Sequence, residues 1–67
     1  MSALDNVVRS LNDAADAAER AGLDRNAVQA ARQAARNTQG MGQAASRLAD
    51  VARSAGASDV VRLCERV

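Results

Sequence analysis

Alanine supplies seventeen of the 67 residues, and no side chain is aromatic. This restricts the available folds more than any other feature of the chain. Alanine is the best helix former, because ordering it costs no side-chain entropy. It brings little apolar surface to a core, so helices rich in it gain most by close approach of their backbones. Larger apolar side chains are thinly spread, and a core at this length normally comes out near balance with the roughly 1.5 kcal/mol per residue that ordering costs. The expectation is one small all-α domain over residues 1–67, a bundle of three to four short helices arranged as two helix-turn-helix hairpins with alanine-rich packing. Self-association or a protein partner is the expected supplement to so lean a core.

Taken in order, Ser2-Ala3-Leu4-Asp5 has the form of a capping box with Asp at the third helical position. Leu4, Val8, Leu11, Ala15 and Ala18 follow with 4-3-4-3 spacing, widened by Val7, Ala14 and Ala21 into one apolar stripe. Gly22 suits a left-handed cap, with Leu23 folding back onto Ala18 as in a Schellman motif. Asp24 is placed to cap a second helix over 25–39, with Val28, Ala31, Ala35 and Thr38 inward. Gly40-Met41-Gly42 reads as a break, with Gly40 ending the second helix and a third running over 43–55 to a cap at Gly56. The apolar spacing keeps its phase through these glycines, so one kinked helix over 25–55 is the rival arrangement. Ser58 is expected to cap a short last helix carrying Val60, Val61, Leu63, Cys64 and Val67. A 34-residue offset aligns Ala15–Gly22 with Ala49–Gly56, which suggests paired hairpins.

Charge is unevenly distributed although the net value is only +1. No acid falls between Asp24 and Asp50, whereas Arg25, Arg32, Arg36 and Arg47 do; the first 22 residues hold four acids against two arginines. Two readings follow: a basic surface for phosphate or an acidic partner, or a basic second helix neutralised by the acidic first. All nine basic residues are arginine, which fits coding bias in a bacterial-like source.

With no histidine, a histidine-based metal site or general base is excluded. Asp13, Asp16 and Glu19 share a helical spacing that suits either a shared cation or solvated carboxylates. The lone Cys64 lacks an activating histidine and is expected in the core, and a single cysteine gives no disulfide framework. No apolar run approaches the ~18 residues of a membrane span, and the start lacks a signal-peptide pattern. The expectation is a cytoplasmic, non-enzymatic chain with no cofactor, no metal, no membrane contact and no small-molecule substrate.

Two families share local features with the chain. Ala18, Ala21, Gly22, Leu23, Val28 and Ala31 resemble the small, glycine and apolar positions of a DNA-binding helix-turn-helix. That likeness implies Arg25, Asn26, Gln29, Arg32 and Gln33 presented to a major groove. The stretch from Asp50 to Ser58 looks like the first half of a lactose-repressor-type motif, but Arg62 and Glu65 stand where that motif buries residues. Gly40-Met41-Gly42 resembles the hairpin of helix-hairpin-helix proteins, which implies amides holding a phosphate. Thr38-Gln39 and Gln43 depart from that pattern.

The function expected from these residues is non-catalytic protein–protein interaction, by a small adaptor, regulator or self-assembling subunit. Its apolar association face is Leu4, Val8, Leu11, Val60, Val61 and Leu63. The alternative is a nucleic-acid-binding module using Arg25, Asn26, Gln29, Arg32, Gln33 and Arg36, or Gly40 and Gly42, on phosphates.

Overall fold

The computed structural model describes residues 2–67. Four helices follow one another: α1 (Ala3–Arg20), α2 (Arg25–Asn37), α3 (Met41–Ala55) and α4 (Ser58–Glu65). No strand occurs among the described residues. The chain is therefore an all-α bundle, and each helix boundary has a local chemical cause.

The expected capping box opens α1. The Asp5 amide donates to Ser2 Oγ at 3.2 Å, and the Ser2 amide donates to Asp5 Oδ2 at 3.4 Å. At the other end Gly22, with φ 74°, closes a Schellman motif. The Leu23 amide donates to the Ala18 carbonyl and the Gly22 amide to Glu19, both at 3.0 Å. Gly56, with φ 72°, repeats this at the end of α3, where the Ala57 amide donates to Ala52 at 2.9 Å. Asp24 starts α2 as expected, its carboxylate accepting from the Asn26 amide at 2.8 Å.

The second turn departs from expectation. Thr38, with φ 55° and ψ 33°, takes the left-handed position that ends α2, and the Gln39 amide donates to the Ala34 carbonyl at 3.3 Å. The helix therefore stops at Asn37, and Thr38 is exposed instead of facing the core. Gly40, also left-handed at φ 67°, starts α3 instead of ending α2. Its carbonyl accepts the first helical bond, from Ala44 at 3.0 Å, so α3 begins at Met41 and contains Gly42. Ser58 likewise does not cap α4. Ala57 already accepts the first helical bond, from Val61 at 3.2 Å, so Ser58 lies inside the helix and no side chain caps it.

Two left-handed positions, Thr38 and Gly40 on either side of Gln39, reverse the chain, which decides against a single helix over 25–55. Such a helix would be about 46 Å long at 1.5 Å per residue, whereas the longest molecular dimension is 31 Å.

Helices α1 and α3 form the spine of the bundle. Each touches all three other helices, whereas α2 and α4 lie on opposite sides and do not meet. The core is correspondingly lean: Leu11, Leu48 and Val60 are its largest fully enclosed side chains, joined by Val28, Cys64 and alanines from all helices but α4. On α2 the buried stripe is wider than expected, because Ala27 and Ala34 join Val28, Ala31 and Ala35. The 34-residue correspondence holds between α1 and α3: Leu11, Ala14, Ala15 and Ala18 are buried, as are Ala45, Leu48, Ala49 and Ala52. It fails between α2 and α4. Val28 and Ala31 are buried, but their counterparts Arg62 and Glu65 are exposed, and α4 turns Val60 and Cys64 inward instead.

Candidate interaction surface

The acid-free interval places its arginines in two different situations. Arg32 reaches back from α2 to α1. Its Nη2 donates to Asp16 Oδ1 and Glu19 Oε1, both at 3.0 Å, and its Nη1 donates to Glu19 Oε2 at 3.2 Å. The fork thus grips Glu19 with two bonds, the geometry in which a guanidinium binds a carboxylate most strongly. Those bonds, and the charge behind them, hold the Glu19 carboxyl below its ordinary pKa of 4.5. They also push the Arg32 guanidinium further up. Of the three carboxylates that share a helical face, two are thereby committed to Arg32. No group of three or more His, Cys, Asp or Glu among the described residues is placed to hold a metal.

Arg25, Arg36 and Arg47 form no ion pair with the described residues, and all three are exposed. Asn26, Gln29 and Gln33 are exposed with them on the outer side of α2. A groove runs along the α2–α3 seam, floored by Ala34 and Ala44 and edged by Gln33, Asn37, Gln43 and Arg47. Every polar side chain on its edges can donate a hydrogen bond, and none is a carboxylate. The α3 N-terminus opens at one end of this groove, at Gly40, which supplies no side-chain cap. Gly42 is exposed in the first turn of α3.

Apolar side chains that keep some surface lie at both ends of the bundle, Leu23 and Val61 beside the Gly22 and Gly56 turns and a larger set at the other end. Grooves that join Val8 to Arg36, and Gly42 to Val67, place the start of α1 beside the end of α2 and the start of α3 beside the end of α4. Leu4 is the one large apolar side chain that is exposed among the described residues, at 49%. Val7 and Val8 on α1, Met41 on α3 and Val67 after α4 are half-buried. Leu63 is half-buried on α4, and Val61 is half-buried nearer the Gly56 turn, where it lines a small apolar hollow with Ala52 and Ala57. Of the residues expected to form the apolar association face, Leu11 and Val60 are 0% exposed and serve the core. Leu4, Val8, Val61 and Leu63 retain surface.

Cys64 is 6% exposed. Burial raises its thiol pKa, partly opposed by the charge of Arg53. No helix among the described residues is long and apolar enough to cross a membrane.

The cross-helix grip of Arg32 escaped sequence reasoning at the level of partners. Charge distribution alone shows that α1 and α2 are complementary, but not which arginine turns inward. The clue was the pairing of Asp16 and Glu19 at i,i+3, which offers two carboxylates to a single guanidinium. Compared with known proteins, the chain matches no family model, and no curated protein and no solved structure is significantly similar to it.

Proposed function

We propose that the chain is a non-catalytic helical interaction module, associating with another protein surface or with copies of itself. The observation that supports this most directly is Leu4, 49% exposed. A chain with so few large apolar side chains leaves one of its five leucines in water, at the end of the bundle where Val7, Val8, Met41, Leu63 and Val67 are also incompletely covered. Covering apolar surface stabilises by about 25 cal/mol per Å², which a lean core stands to gain from. Sedimentation equilibrium over a range of concentrations tests the self-association branch. Reversible association that weakens in Leu4→Ser is the expected result. The proposal is overturned if the chain stays monomeric throughout and an affinity column bearing it retains no protein that a Leu4→Ser column fails to retain.

A second reading, nucleic-acid binding, draws support from the acid-free α2–α3 face and the uncapped start of α3. Its expected signature is a gel shift with mixed DNA and RNA that fades steeply as salt rises.

A further inference from the structure

The three turns differ in how firmly they are held. Glycine takes the left-handed position at Gly22 and Gly56, and Leu23 and Ala57 beside them are half-buried. In the α2–α3 turn a left-handed position falls on Thr38, a β-branched residue that is strained there. Thr38, Gln39 and Gly40 are all exposed, and the start of α3 has no side-chain cap. The apolar spacing runs on in phase across this turn, with Val28, Ala31 and Ala35 before it and Met41, Ala45 and Leu48 after it. Straightening the turn would therefore join α2 and α3 into one helix whose apolar side chains follow a continuous stripe.

We propose that the partner is a second copy of this chain, bound by exchange of α1–α2 hairpins with the segment from Thr38 to Gly40 as the hinge. The proposal rests on the interaction-module reading and names both the partner and the mode of contact. The fold itself fixes the occupant. Within one chain the α1–α2 hairpin meets α3–α4 along three helix pairs, α1 with α3, α1 with α4 and α2 with α3. Each half alone leaves its share of the core open: Leu11 and Val28 come from the first, Leu48, Val60 and Cys64 from the second. A hairpin swung out on a straight hinge bares a surface already fitted to the α3–α4 half of the same sequence. Two opened chains can therefore close two bundles between them, each contact reproducing one made within the monomer. The Arg32 clamp on Asp16 and Glu19 lies inside the first half and travels with it unbroken. Only the hinge changes. Opening it releases the strain at Thr38 and adds helical hydrogen bonds, against the cost of placing Gly40 in a helix interior. Short hinges under strain invite such exchange.

Refolding from urea at high protein concentration, followed by size-exclusion chromatography with light scattering, is expected to yield a dimer. Gly40→Ala strains the closed turn and favours the open helix, so its dimerisation constant is expected to rise at least about tenfold. Thr38→Gly acts oppositely in both states and is expected to lower that constant at least about tenfold. Leu4→Ser is expected to leave the exchange unchanged. Geometry is read by pulsed electron resonance between nitroxides on Asn26→Cys and Ser54→Cys in a Cys64→Ala background, diluted with unlabelled chain so that only distances within a chain count. In the exchanged dimer the two labels are about 42 Å apart along one helix. In the monomer both sit at the Gly22 and Gly56 end of a molecule 31 Å long. Chromatography of Gly40→Ala needs no label and decides the matter if the Cys64→Ala background fails to fold. Absence of a dimer in both the parent and Gly40→Ala overturns the proposal. So does a dimer that keeps the monomer's distance, or a shift in the same direction for Gly40→Ala and Thr38→Gly. If that dimer is abolished by Leu4→Ser, the interaction-module reading stands and only the exchange falls.

Discussion

Thr38 carries a conformation that its own chemistry opposes. A β-branched residue at φ 55° is a steric outlier, yet it does for α2 what glycine does for α1 and α3. The tertiary demand for a reversal at that point outweighs a local cost of the order of 1–3 kcal/mol. Thr38→Gly is therefore expected to stabilise the fold by about 1 kcal/mol, measured as a shift in the urea midpoint at constant slope. Gly56→Ala should do the opposite by about 1–2 kcal/mol. A Cβ at that position would meet nothing within 4 Å, so the loss would come from the left-handed backbone alone. This contrast also shows what could be read from the sequence. Gly22 and Gly56 announce left-handed caps because glycine is the residue that takes them without penalty. Thr38 has the propensity of a strand or a helix interior, so the sequence alone places the turn two residues late, at the glycine that begins the next helix.

At the scale of the helix, pairing between α1 and α2 combines alanine contact with one ionic clamp. The clamp has a pH signature whose sign follows from Glu19. Its carboxyl pKa is lower in the folded chain than its ordinary 4.5, so its stabilising contribution is present above that value and is lost as pH falls through the lowered one. Thermal unfolding followed from pH 7 down to about pH 3 is expected to show stability falling in acid. In Arg32→Met the fall should be shallower, with lower stability at neutral pH and convergence on the parent at the acid end. Both carboxylates are more than half exposed at their side chains, so solvent screens the effect and added salt should shrink it. Helix number and most of the buried stripe on α1 and α3 were legible, because alanine and leucine recur there with an unbroken period. The extra burial of Ala27 and Ala34 was not, since α2 packs against two neighbours and periodicity reports only the direction of the mean.

For the molecule as a whole, close packing compensates for small side chains. The accessible surface of 4113 Å² is near the ~4,000 Å² expected of a folded chain of this mass. Compactness is thus ordinary, although only three large side chains are fully enclosed. Each of the three is correspondingly hard to lose. Leu48→Ala removes a fully buried side chain, for which about 2–5 kcal/mol is the usual cost. In a domain this small that is expected to abolish cooperative thermal unfolding monitored by circular dichroism. The one-sided adjacency of the helices has a different consequence. Because α2 and α4 share no contact and each leans on the α1–α3 spine, the outer helices are free to peel away separately. The eight-residue α4 is the shorter of the two, yet it meets the spine about as extensively as α2 does. Opening α4 would bare Val60 and Cys64 while leaving a three-helix remnant closed around Leu11.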